Sequence, residues 1–139
     1  MNMRLEELEA LAEERLREAL ALLGVQRWSG AFYLSGYAIE LALKAVIADQ
    51  FRANEIPDKN LVKNIYTHDL EDLLSLAQLK PALQERSRRS SQFVANWNTV
   101  MGWNESARYR RIEETEARAL LEAISDPTEG IFAWIRSQP

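Results

Sequence analysis

His68 is the one histidine in a 139-residue chain that has no cysteine, so it is the side chain whose ordinary titration lies nearest neutrality. That makes it the first candidate for acid–base work, which also needs other groups converging on a substrate. It stands between Thr67, a helix-capping residue type, and Asp69, so the competing reading is a locally bonded residue at a helix start. Glu40 and Lys44 lie four apart with the acid first, the favourable order for an ion pair on one helix face, and Tyr37 precedes them by one turn. In apolar surroundings this pair either serves structure or faces a nucleotide or other substrate. A third set occupies residues 85 to 111, where Arg86, Arg88, Arg89, Arg108, Arg110 and Arg111 meet only Glu85 and Glu105, a local excess of four positive charges. Trp97, Asn98, Trp103 and Tyr109 are interleaved with them. Arginine forks bind phosphates and aromatic faces stack on bases, so such a set suits a nucleotide or a single strand. The competing reading puts Arg86, Arg88 and Arg89 on a solvated helix face, Trp97 in the core, and Arg108 on a carboxylate or helix end. The candidate binding residues are therefore Tyr37, Lys44, His68, Trp97, Asn98, Trp103, Arg108, Tyr109 and Arg111.

The chain contains no glycine-rich phosphate loop, HExxH, GxSxG or CxxC motif and no metal-ligand cluster. No catalytic residue, metal or cofactor is assigned. Adjacent acids such as Glu6 and Glu7, or Glu113 and Glu114, point different ways from a helix and read as solvated surface. The net charge of −4 offers no overall field for a polyanion. The first twenty residues are charged from Arg4 onward and lack the apolar core of a secretory signal, and the absence of cysteine suits a reducing compartment, so a cytoplasmic location is expected. Gly30 to Ala48 approaches membrane-spanning length but carries Ser35, Glu40 and Lys44, and ionisable groups at mid-bilayer are costly. It reads as a buried helix.

The elements that must position these residues are all helical. Leu5, Leu8, Ala12, Leu16, Ala19 and Leu23 recur at steps of three and four, predicting an amphipathic helix that ends near Gly24. From about Arg27 to Arg52 the pattern is apolar nearly all round, with Trp28, Phe32, Ile39, Leu43, Val46 and Ile47 on one side; a helix without a polar face belongs inside a bundle or at a subunit contact. Gly36 in its middle costs about 1 kcal/mol relative to alanine, which suggests a packing reason. Residues 54 to 66 read as a loop. Thr67 is expected to cap a third helix with Leu70, Leu73, Leu74 and Ala77 inward, and a fourth is expected to run from Pro81 through Phe93 and Trp97 to Val100. A last helical region starts near Thr115. Asp126-Pro127-Thr128-Glu129 breaks it and restarts a short helix, with Asp126 as cap, Pro127 in first position and Glu129 closing a capping box. No segment alternates like a strand, so the expected fold is all-α: a single domain over 1–139, an up-and-down antiparallel bundle of about five helices.

The stretch from Ala31 to Ala45, AFYLSGYAIELALKA, resembles the second helix of the HEPN family, the domain named for its occurrence in higher eukaryotes and prokaryotes. Thr67-His68-Asp69-Leu70 with Leu73-Leu74, and Trp103 to Arg108-Tyr109 ahead of Trp134-Ile135-Arg136, follow in the family's order. The resemblance implies a bundle that pairs as a homodimer. It also implies, for many members, ribonuclease activity from an arginine followed four to six residues later by a histidine. Here the window before His68 holds Leu61, Val62, Lys63 and Asn64 with no arginine, and residues 97 to 104 hold neither arginine nor histidine. Lys63-x4-His68 is only an echo, so catalysis is not carried over. The expected function is a non-catalytic binding module, with a minimal nucleotidyltransferase, RNA or a nucleotide as partner. Two alternatives stand: a divergent ribonuclease or toxin component of a toxin–antitoxin pair using His68, Arg108 and Tyr109, and a purely structural dimeric protein.

Overall fold

Leucines and alanines at helical spacing make α1 (Leu5–Gly24), and its inward stripe of Leu8, Ala12 and Ala19 is buried in the computed structural model, which describes residues 5–50 and 64–139. A three-residue connection returns the chain into α2 (Trp28–Asp49), so the two longest helices are antiparallel neighbours. The connection is a Schellman turn. Arg27 N–H donates to the Leu22 carbonyl at 2.9 Å and Gln26 N–H to that of Leu23 at 3.2 Å, with Gln26 left-handed at φ 63°.

α2 is the centre of the molecule. It packs against α1, α3 (Leu70–Leu76), α6 (Glu114–Ser125), α7 (Ile131–Arg136) and a 3-10 helix (Glu105–Tyr109), which together cover it on nearly every side. Phe32, Ile39, Leu43 and Ile47 are buried, each such side chain contributing about 1.5–3 kcal/mol through removal from water. Among the described residues α2 is also the one helix whose length and apolarity would suffice to cross a membrane. Its apolar surface is instead taken up by its own chain, which is the enclosure its composition calls for.

Seven α-helices and the 3-10 helix stand among the described residues, without strands, where about five helices were expected. Part of the excess comes from Ser90, which divides the expected fourth helix into α4 (Lys80–Arg89) and α5 (Ser91–Met101). Ser90 is extended, and its hydroxyl accepts from Phe93 N–H at 3.0 Å, which starts a new helix in the middle of a continuous pattern. α3 begins later than expected. Asp69, not Thr67, caps it by accepting from Asp72 N–H at 2.9 Å, while the Thr67 hydroxyl accepts from Asp69 N–H. At the C-terminal break Asp126 takes N–H groups of Thr128 and Glu129, which hold its carboxyl below the usual carboxylate range. These bonds close a turn, not a helix start. The Glu129 carboxylate goes to Arg86, Gly130 takes the cap position, and α7 begins at Ile131. The expected 54–66 loop lies mostly outside the described residues, as does Lys63.

The α3–α4 turn repeats the Schellman pattern, Leu79 N–H to the Leu74 carbonyl and Gln78 N–H to that of Ser75, with Gln78 at φ 60°. A side chain in this conformation strains against its own carbonyl. Gln78→Gly should therefore stabilise the fold by about 0.5–1 kcal/mol, read as a higher urea midpoint; a lower midpoint would show that Gln78 makes contacts worth more than the strain.

Candidate functional site

One stripe of α2 carries Tyr33, Gly36, Tyr37, Glu40 and Lys44, successive turns of one helix face, towards the 3-10 helix and the start of α3. The apolar end of the stripe is aromatic. Tyr33 stacks on Tyr37 with centroids 6.1 Å apart, and Trp103 lies against Tyr33 and directly over Gly36. Trp103, Ala107 and Ile112 are buried, and Ile112 N–H donates to the Ser29 hydroxyl at 2.9 Å, so the segment from 103 to 112 is pinned along α2. Within it Asn104 caps the 3-10 helix by accepting from Ser106 N–H. That geometry aims Glu105 back towards the start of α3.

The polar end of the stripe is a chain of charges. Glu40 is 1% exposed, and its Oε2 accepts from Lys44 Nζ at 3.1 Å and lies 2.9 Å from His68 Nδ1. The other ring nitrogen of His68, Nε2, faces Glu105 Oε2 at 3.4 Å, and Glu105 Oε1 faces Arg108 at 3.5 Å. Arg108 in turn sits 4.8 Å over the ring of Tyr109. Burial, then the Glu40 and Tyr33 side chains, push the Tyr37 phenol above its usual range, so it stays protonated. Among the described residues, two buried side-chain atoms have no hydrogen-bond partner, Glu40 Oε1 and Trp103 Nε1, and both residues lie along this stripe.

His68 is thus not a locally bonded helix-start residue. It bridges two carboxylates from distant parts of the chain, 28 and 37 positions away in sequence, and is itself 45% exposed.

A family model for the HEPN domain matches residues 5–138, nearly the whole chain. The chain belongs to the HEPN family. Comparisons with curated proteins and with solved structures returned no significant match.

The HEPN fold brings together six of the nine sequence candidates and separates the other three. Tyr37, Lys44, His68, Arg108 and, through Tyr33 and Gly36, Trp103 share the α2 stripe, with Tyr109 stacked at its rim and 77% exposed. Trp97, partly buried on α5, packs edge-on against Trp134 at 6.3 Å at the edge of the core, and Asn98 is exposed on that helix. Arg111 is 91% exposed and pairs with Glu113, lining a separate open cavity of about 390 Å³ with Arg27, Trp28 and Ser29. The arginine-rich region does not form one patch. Each of its six members has a carboxylate within 4 Å: Arg86 on Glu129, Arg88 and Arg89 on Glu85, Arg108 on Glu105, Arg110 on Glu116, Arg111 on Glu113. Arg86 also lies 4.9 Å over Phe93 and reaches the Thr128 carbonyl, which ties α4 to the Asp126 turn. Among the described residues no group of His, Asp and Glu could hold a metal ion.

Two residues escaped the sequence reading. Glu105 entered it only as one of two acids among arginines, yet it joins His68 to Arg108; nothing local marks a partner 37 residues away. Asn96, not Asn98, is the working asparagine of α5. It is buried, donates to the Glu129 carbonyl and accepts from Gln92, and only its inward phase beside Phe93 and Val100 hinted at this.

Proposed function

We propose that this HEPN domain works by binding a partner protein and not by catalysis, with the Arg108–Tyr109 rim of the α2 stripe as its anchor. The exposure of Tyr109 under a stacked arginine carries this reading, because tyrosine and arginine are the residue types that most often dominate protein interfaces. Both nitrogens of His68 face carboxylates, and Arg108 is paired with Glu105, so neither is left aimed at a phosphate. A minimal nucleotidyltransferase of the kind the family accompanies is the proposed partner, in a reducing cytoplasm, with the HEPN domain itself a homodimer. The proposed dimer contact uses the terminal helices and the partly buried residues of α2, such as Leu34 and Val46.

The test is co-expression with a nucleotidyltransferase encoded beside it, followed by affinity measurement. Tyr109→Ala should weaken the complex at least about tenfold while leaving the melting temperature unchanged. No complex, or a complex indifferent to Tyr109, would overturn the reading. A divergent ribonuclease is the second reading, favoured by Glu105 placing His68 and Arg108 in one chain of contacts. RNA cleavage by the purified protein that disappears in His68→Ala would establish it. RNA binding without cleavage, falling steeply between about 50 and 200 mM salt as counterions compete for phosphate contacts, would replace the protein partner with nucleic acid.

A further inference from the structure

A neutral imidazole carries one N–H; its second nitrogen is an acceptor. Both nitrogens of His68 face carboxylate oxygens, Glu40 Oε2 at 2.9 Å and Glu105 Oε2 at 3.4 Å, and a carboxylate can only accept. The neutral ring can satisfy one of these contacts and sets a lone pair against the other oxygen. The imidazolium donates to Glu40 and sets its positive charge within ion-pair distance of Glu105. We propose that His68 is a proton-operated staple: charged, it holds the 3-10 helix Glu105–Tyr109 against α2, and neutral, it releases the segment that presents Arg108 and Tyr109.

The surrounding charges make release local. On α2, Lys44 pairs with Glu40, and on the 3-10 helix Arg108 pairs with Glu105, so each carboxylate keeps its own cation when His68 loses its proton. Tyr37 on the same stripe stays protonated, Arg15 of α1 is paired with Glu18, and Asp69 beside His68 is turned to the Asp72 N–H. What disappears is the link between the two ion pairs, not the pairs themselves. Both contacts are favourable while the ring is protonated, and the one to Glu105 is lost when the ring gives up its proton. Trp103 and Ile112 continue to anchor the ends of the segment, so Glu105 to Tyr109 would loosen between two fixed points.

The staple rests on the proposed role of the Arg108–Tyr109 rim only for its purpose; its existence is tested on the free protein, without any partner. Because the chain has a single histidine, the ring ¹⁵N signals of labelled protein belong to His68 alone. Those signals, and amide hydrogen exchange over residues 105–109, are measured from about pH 5.5 to 8.5 in the wild type and in His68→Gln, with exchange corrected for its intrinsic pH dependence. A glutamine keeps one neutral donor, so the variant folds without the titration. In the wild type, protection should fall at least about fivefold as the ring loses its proton, the size that one lost charged contact of about 1 kcal/mol supports, and stay flat in His68→Gln. A ring held in one neutral tautomer across the whole range would overturn the proposal. So would protection that ignores the titration, or that falls equally in His68→Gln.

Discussion

Gly36→Ala should destabilise the protein by about 2 kcal/mol, although helix propensity by itself predicts about 1 kcal/mol in the other direction. A Cβ at position 36 would lie 2.3 Å from three ring atoms of Trp103, where carbon atoms normally approach no closer than about 3.5 Å. Trp103 is a rigid, buried indole against Tyr33, so it cannot turn a flexible end out of the way. Either the ring shifts by more than an ångström or α2 moves. Gly24, at the end of α1, supplies the internal control: nothing lies within 4 Å of its added Cβ, so Gly24→Ala should be neutral or mildly stabilising. Urea unfolding of both variants checks the pair, and equal effects at the two glycines would refute the packing account. Since Trp103 leads into the 3-10 helix, its displacement in Gly36→Ala should also pull Glu105 away from His68.

Lys44→Met should cost about 3 kcal/mol, read as a lower urea midpoint. Methionine retains the aliphatic length of lysine but removes the cation from a carboxylate that is 1% exposed, and Lys44 itself is only 15% exposed, so water cannot replace it. Glu40 would be left with His68 alone, on one of its two oxygens. Removing both charges is a different matter. A buried pair replaced by apolar groups of similar size is often neutral, so Glu40→Leu combined with Lys44→Met should recover most of the loss in a double-mutant cycle. Losses that simply add would mean that the two side chains do not depend on each other. The cycle also separates structure from function: the double variant keeps the bundle and loses the staple.

The helices were legible because their cause is periodic. Leu5 to Leu23 repeats at helical spacing, and α2 from Trp28 onward is too apolar to face water, so both could be placed to within a few residues. The boundaries that depend on one hydrogen bond were not. Ser90 and Asp69 are capping residue types with neighbours that also cap, and only the φ, ψ values of the folded chain decide which is used. The same limit produced the mistaken reading of Asp126 to Glu129, where the predicted capping box became a turn because the Glu129 carboxylate found Arg86 on another helix.

The sequence by itself determined the all-helical class, the central burial of α2, the Glu40–Lys44 pair and the likeness to the HEPN family, because each follows from residue type and from spacings of fewer than five residues or from a continuous block. Tertiary structure alone decided that His68 belongs with Glu40 and Glu105, that Trp103 is the reason for Gly36, and that the arginines of residues 85 to 111 disperse onto separate carboxylates. Those contacts join positions tens of residues apart through the packing of α2 against the 3-10 helix. A charge carries no record of which distant partner the folded chain will bring to it.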